Sequence, residues 1–118
     1  MPSLLQKRSY GSVTVFWLDQ AGLVGALRAI AQRIIGEGRA DAVYLFGSLA
    51  ARRAVPGSDV DVLIVADGTG AWWERGQAFE ADFAALPLAV DIIVAGPQDL
   101  GRPIVQAGLA GELLAARP

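Results

Sequence analysis

The sequence contains no cysteine and no histidine among its 118 residues. Without cysteine, disulfide scaffolds and thiolate metal sites are excluded. Without histidine, a Ser-His-Asp triad and any other imidazole base are excluded as well. If the protein is an enzyme, its chemistry therefore depends on carboxylates, hydroxyl groups, arginine and a bound metal ion.

Positive charge is also scarce, because 10 Lys and Arg stand against 12 Asp and Glu, which gives a net charge of −2. An acidic chain without a basic stripe is poorly suited to bind the phosphates of a nucleic acid. The sequence also lacks a run of about 18 apolar residues, the length that a membrane span requires. We therefore expect a cytoplasmic protein with no membrane or nucleic acid partner.

The remaining composition is that of a folded protein. Hydrophobic residues make up 53% of the chain and charged residues 19%, which excludes a disordered tail. The length allows one domain. We interpret residues 1–118 as that domain, with a loose N-terminal segment over residues 1–11.

Hydrophobic patterning predicts strands that alternate with helices. Apolar runs rich in β-branched residues predict strands at residues 13–18, 43–46, 60–66 and 88–95. Apolar spacings of three and four residues predict helices over residues 23–34 and 72–86. Shorter helical segments are expected after Ser48 and from Pro103, and a last extended segment at Leu113 and Leu114. This order predicts an α/β (α+β) fold in which helices flank a mixed β-sheet of about four strands.

Two acidic residues stand at the start of the strongest predicted strand, as Asp59-Val60-Asp61. Residues i and i+2 of a strand project to the same face, so Asp59 and Asp61 are expected side by side. Two adjacent carboxylates repel each other, and a divalent cation removes the repulsion. Mg²⁺ prefers carboxylate oxygens together with substrate phosphates and water, which suits this pair. A solvated strand start is the alternative interpretation.

Asp91 lies in the middle of another apolar strand, where aspartate is rare. If this strand neighbours the strand of residues 60–66, Asp91 completes a cluster of three carboxylates. Such a cluster can hold two metal ions about 4 Å apart, which is the arrangement for in-line phosphoryl or nucleotidyl displacement. The alternative is a buried aspartate paired with an arginine.

Gly47 and Ser48 separate a predicted strand from a short helix. Glycine permits a close ligand approach or a positive φ, and the serine hydroxyl can donate to a phosphate oxygen. The free N–H groups at the start of a helix attract an anion. We interpret the pair as a phosphate cradle beside the metal site, although Ser48 could serve as a helix N-cap.

The spacing of these residues resembles a known signature. Gly47-Ser48, then ten residues, then Asp59-Val60-Asp61 is similar to the signature of the polymerase-beta-like nucleotidyltransferases. The longer string Leu-Phe-Gly-Ser…Pro-Gly-Ser-Asp-Val-Asp-Val-Leu-Ile-Val resembles the minimal nucleotidyltransferases in particular. The resemblance implies a mixed sheet flanked by helices, and magnesium-dependent transfer of a nucleoside monophosphate from a nucleoside triphosphate.

The same resemblance implies roles for individual residues. Gly47 and Ser48 would hold the triphosphate, while Asp59, Asp61 and Asp91 would bind the metal ions. Asp91 would also help to activate the acceptor hydroxyl. Family members of this size are often antitoxins encoded with a HEPN-type toxin, and several are taken to add AMP to a tyrosine of that toxin.

The chain departs from the family pattern directly after Ser48. The family commonly reads Gly-Ser-Arg-Ala-Arg-Gly, whereas this chain has Leu49 and Ala51 at the two arginine positions and Arg52 at the last glycine. Arg52 or Arg53 could contact phosphate from a slightly different place, or both could lie in a solvated turn.

Together these features predict a nucleotidyltransferase with two bound Mg²⁺ ions that attacks the α-phosphate of ATP, or of another nucleoside triphosphate, and releases pyrophosphate. So short a chain leaves no room for an acceptor domain. We therefore expect the acceptor on a partner protein, with a HEPN-type toxin as the first candidate, or on a second copy of the chain in a homodimer. The alternatives are a non-catalytic antitoxin that neutralises a partner by docking, and a nucleotidyltransferase that modifies a small molecule such as an aminoglycoside.

Overall fold

The computed structural model describes residues 5–10, 13–18, 20–51, 59–67, 72–86 and 88–118. The strands are β1 (Leu5–Tyr10), β2 (Val13–Leu18), β3 (Ala42–Phe46), β4 (Val60–Val65), β5 (Val90–Ala95) and β6 (Glu112–Ala116). The α-helices are α1 (Gln20–Gly36), α2 (Gly47–Ala50), α3 (Glu80–Phe83) and α4 (Pro103–Leu109), and 3₁₀ helices span Trp72–Phe79 and Pro97–Asp99. Within these ranges, no helix is long and apolar enough to cross a lipid bilayer.

One mixed sheet of four strands organises the fold, in the order β5-β4-β3-β6. Strand β3 pairs antiparallel with both β4 and β6, whereas β4 and β5 run parallel. The parallel pair is connected through the 3₁₀ helix at residues 72–79 and α3, as a parallel connection needs a crossover. The predicted α/β fold, a mixed sheet of four strands with flanking helices, is confirmed.

The membership of the sheet differs from the prediction at the N-terminal end. Strands β1 and β2 form a separate antiparallel hairpin, with Leu5 opposite Leu18 and Tyr10 opposite Val13. The expectation of a loose segment is therefore wrong for residues 5–10, and residues 13–18 do not join the four-stranded sheet. The fourth place is taken by β6, which contains the extended segment predicted at Leu113 and Leu114. Local patterning identifies a strand, but pairing partners depend on contacts distant in sequence.

The segment of residues 72–86 is a 3₁₀ helix followed by the short helix α3, rather than the single helix predicted. Gly76 lies in its middle and has a low α-helix propensity. A Cβ at Gly76 would lie 2.7 Å from the carbonyl oxygen of Ile92, so the segment follows the outer strand β5 closely. Phe79 and Phe83 are buried, which anchors the segment as the apolar spacing predicted.

The two faces of the sheet are covered unequally. On one face α1 buries Leu23, Leu27 and Ile34 completely, in the same core as inward residues of β3 and β4. On the other face α4 covers a smaller cluster that centres on Leu63 and Val105. Because α4 spans only residues 103–109, it leaves the beginnings of β4 and β5 on this face accessible.

A buried aspartate joins the elements around α4. The carboxylate of Asp99 is 2% exposed and accepts hydrogen bonds from the Gly96 N–H at 3.0 Å, from Arg75 at 2.6 Å and from Arg102 at 3.0 Å. Burial acts to raise the pKa of Asp99, but the hydrogen bonds outweigh it, and the pKa lies below its usual value. The pairing joins the segment of residues 72–79 to the turn before α4.

Gly108 places α4 directly against the sheet, because a Cβ there would lie 2.6 Å from Cδ2 of buried Leu63. Gly108→Ala should lower the free energy of unfolding by about 1–3 kcal/mol, since overpacking outweighs the better helix propensity of alanine. In α1, an added Cβ at Gly25 would meet no atom within 4 Å, so Gly25→Ala should stabilise the protein by up to about 1 kcal/mol. Urea unfolding measures both changes, and equal stabilisation by the two substitutions would contradict the close packing of α4.

Candidate functional site

Asp61 and Asp91 lie side by side at one end of the four-stranded sheet. They are register partners in the parallel pair of β4 and β5, and Phe46 of β3 is the partner of Asp61 on its other side. Partnered residues project to the same face of a sheet, here the face that α4 covers in part. Asp59 directly precedes β4, and its charge acts on Asp61. The adjacency of the two strands, on which a cluster of three carboxylates depends, is therefore present.

Gly47 brings the other half of the motif into contact with these carboxylates. It follows β3 directly and has a φ of +76°, a conformation that favours glycine. A Cβ at Gly47 would overlap with Oδ2 of Asp61. Both the backbone conformation and the space therefore require glycine at this position.

The residues after Gly47 explain part of the departure from the family pattern. Ser48 is half-buried in α2. Leu49 is 1% exposed and belongs to the core beneath α1, so this position contributes packing rather than charge. Ala51 is exposed at the end of α2. The candidate phosphate ligands Arg52 and Arg53 lie outside the described residues.

Asp61 lies within the electrostatic influence of the two other carboxylates. The pKa of Asp61 is raised, first by burial and then by the negative charges of Asp91 and Asp59. Carboxylate oxygens are the donors that Mg²⁺ prefers, and a cation would relieve this repulsion. Among the side chains that the structure describes, no three acidic groups are gathered closely enough to hold a metal ion as they stand. Metal binding therefore stays a prediction, and it needs these side chains to move closer together.

A cavity of about 410 Å³ opens on the other side of Gly47. It lies between α2, the end of α4 and the start of β6, and Phe46, Ala51, Ala110 and Glu112 are among its lining residues. Sequence reasoning missed this cavity because β6 was expected only as an extended segment of unknown partner. The small residues at the end of α4 were the signal available in the sequence.

The comparison with protein families agrees with this geometry. The family model "Polymerase beta, Nucleotidyltransferase" matches residues 29–108, which is more than half of the chain and includes Gly47, Ser48 and the three aspartates. The chain belongs to the polymerase-beta-like nucleotidyltransferase family.

Two solved structures are similar to the chain. A protein of Sulfolobus solfataricus, assigned as a nucleotidyltransferase, is 23% identical with a TM-score of 0.54, over 70% of this chain and 75% of that one. A chain of a mutant toxin–antitoxin complex, MntA–HpeT, is 21% identical with a TM-score of 0.44, over 84% of this chain and 74% of that one. The similarity to the Sulfolobus solfataricus protein shows a shared fold. No curated protein matches the chain significantly.

The contact between Gly47 and Asp61 can be separated from the backbone conformation by a matched pair of variants. Gly38 has a φ of +73° and no atom within 4 Å of an added Cβ, so Gly38→Ala should cost roughly 1 kcal/mol from conformation alone. Gly47→Ala should cost at least about 1 kcal/mol more, because the Asp61 carboxylate must move. Chemical denaturation measures both costs, and the excess should disappear in an Asp61→Ala background. Equal costs at Gly38 and Gly47 would contradict the contact.

Ionisation of Asp61 should destabilise the fold. The pKa of Asp61 is raised in the folded state, so the neutral carboxyl group favours the fold. This contribution to stability is fully present below the ordinary pKa of aspartate and is lost as the pH rises through the raised pKa. Without metal, Asp61→Asn should therefore melt at a higher temperature than the wild type at pH 7, and the difference should shrink towards about pH 4, near the ordinary pKa of aspartate. Asp67→Asn removes a charge from an exposed position beyond the other end of β4 and should change Tm little. A lower Tm for Asp61→Asn at pH 7 would contradict the repulsion.

Proposed function

We propose that this chain is a magnesium-dependent nucleotidyltransferase that transfers AMP from ATP to a hydroxyl acceptor. The observation that carries the proposal is the contact of Gly47 with Asp61, whose register partner is Asp91, in a chain that belongs to the nucleotidyltransferase family. The contact brings together the glycine that would hold phosphate and carboxylates that would hold metal.

Each residue has a separate task in this proposal. The Gly47 backbone and the Ser48 hydroxyl would hold the triphosphate, with the hydroxyl donating to a phosphate oxygen. Asp59, Asp61 and Asp91 would hold the magnesium ions, whose charge would neutralise the phosphate oxygens in the transition state. The raised pKa of Asp61 supports this assignment, because a group of mutually repelling carboxylates favours a bound cation.

The transfer is an in-line displacement at the α-phosphorus. The acceptor oxygen forms a bond to that phosphorus while the bond from the phosphorus to the bridging oxygen breaks, and pyrophosphate leaves with the electron pair. The acceptor proton passes to a carboxylate oxygen of Asp91, which acts as general base. Asp91 suits this task because it is exposed and lies on β5, the outer strand of the sheet.

The acceptor is a hydroxyl group on a partner protein in this proposal. The exposure of Asp91 and its position on an outer strand support a bulky acceptor. A HEPN-type toxin is the first candidate, on the strength of the resemblance in the sequence, and the chain would then act as its antitoxin. We place the reaction in the cytoplasm, where ATP is available.

Calorimetric titration with ATP and magnesium tests the nucleotide site. The wild type should bind ATP only with magnesium present, and Asp59→Asn/Asp61→Asn should lose this binding. Transfer of label from α-labelled ATP to a toxin encoded next to this chain should fall by at least about 100-fold in Asp61→Asn. Asp67→Asn should keep both binding and transfer, because Asp67 lies roughly 20 Å along β4 from Asp61.

Two results would contradict the proposal. Full ATP binding or transfer by the aspartate variants would remove the role of the carboxylates. A folded wild type that binds no ATP even with its partner present would indicate a docking module without chemistry, which should still bind the toxin in the absence of nucleotide and magnesium.

A further inference from the structure

The hairpin of β1 and β2 has no part in the site described above. Its strands form a two-stranded sheet of their own, and their extensive contacts are with each other rather than with the rest of the domain. A two-stranded hairpin alone is at best marginally stable in water, and packing against another surface stabilises it. The hairpin is therefore suited to pack against a second surface.

The sequence of the hairpin indicates the chemistry of that surface. Strand β2 reads Val-Thr-Val-Phe-Trp-Leu and is largely apolar. Strand β1 contains Lys7 and Arg8, and all 12 Asp and Glu residues of the chain follow the hairpin. The hairpin is thus apolar and positively charged, although the whole chain has a net charge of −2. A matching surface is apolar and carries negative charge.

A groove on the four-stranded part of the domain has these properties. It has a volume of about 190 Å³ and lies between α3 and the beginning of β5. Of the described residues that line it, Glu80 is charged, and it is exposed. The apolar lining residues are Phe83, Leu86, Leu88, Val90 and Ile92. The volume is below the range of about 300–1,000 Å³ that is typical of small-molecule sites, so the groove suits protein side chains better than a free ligand.

We propose that the hairpin of one copy of this chain docks in the groove of a second copy, with the basic residues of β1 beside Glu80. Charge complementarity supports a second copy as the occupant, because the basic hairpin and the groove with its glutamate belong to the same chain. In a dimer with two-fold symmetry each hairpin docks on the other copy, so the contact is made twice. This inference does not depend on the proposed function.

The proposed contact leaves the carboxylate cluster accessible. Val90 and Ile92 pack against the core beneath α1, whereas Asp91 between them projects to the opposite face of β5. The groove and the carboxylates therefore lie on opposite faces of the sheet, at the beginning of the same strand. A docked hairpin would lie behind Asp91 and not in front of it.

Reversal of the charges tests the contact in the full chain. Glu80→Lys gives the groove the charge of the hairpin, and Lys7→Glu/Arg8→Glu gives the hairpin the charge of the groove. Each variant alone should dimerise at least about 10-fold more weakly than the wild type, because like charges then meet at both contacts. An equimolar mixture of the two variants should form a heterodimer, because opposite charges meet again at both contacts. Sedimentation equilibrium measures these affinities.

Matched variants show whether the groove itself is used. Ala84 and Ala85 are neighbouring exposed alanines, and Ala84 lines the groove whereas Ala85 does not. Ala84→Arg should weaken the dimer and Ala85→Arg should not. Asp67→Lys reverses an exposed charge beyond the other end of β4 and should also leave the dimer intact. Magnesium-dependent binding of ATP should be the same in all these variants, since none of the changed residues is assigned to the nucleotide site.

Several results would overturn this inference. Wild type that stays monomeric at all concentrations would do so, as would a dimer that neither charge reversal weakens. Charge-reversed variants that remain monomeric when mixed would show that no hairpin docks on a second copy. Equal weakening by Ala84→Arg and Ala85→Arg would place the contact outside the groove. A dimer that behaves as expected but binds no ATP would support this inference and contradict the proposed function.

Discussion

The close approach of the Asp61 carboxylate to the Cα of Gly47 is the constraint on which the site depends. It requires glycine directly after the end of β3, which pairs with the beginning of β4. The parallel strand β5 then adds Asp91 to the same face. The fold thereby gathers like charges, and burial together with the charges of Asp91 and Asp59 raises the pKa of Asp61.

The unequal covering of the sheet turns this constraint into an accessible site. The long helix α1 buries one face completely, whereas the short helix α4 covers the other face only around Leu63 and Val105. The carboxylates lie at the end of this face that α4 does not cover, and the cavity lies where α4 ends against β6. Leu49 points into the core while its neighbour Ala51 lines the cavity. Of the two positions that hold arginine in the family pattern, one is therefore part of the core in this chain and the other lines the cavity.

Pattern reasoning found the carboxylates and the Gly47-Ser48 pair because their signals are local. Alternation along a strand places Asp59 and Asp61 together, and a glycine after an apolar strand marks a tight junction. Asp91 is conspicuous as an acidic residue inside an apolar strand, and its adjacency to Asp61 follows from the pairing of β4 and β5. The prediction of a loose segment was wrong for residues 5–10, and the sequence did not predict the partner of β6, because strand pairing is decided by residues far apart in the chain.

The sequence by itself determined the family, the order of most elements and the candidate site residues, since periodicity and motif spacing are properties of neighbouring residues. Only the tertiary structure decided that β6 rather than β2 completes the sheet. It also decided that Leu49 belongs to the core and that a cavity opens between α2, α4 and β6. Burial and cavities arise from packing between elements, which depends on contacts across the chain and not on local pattern.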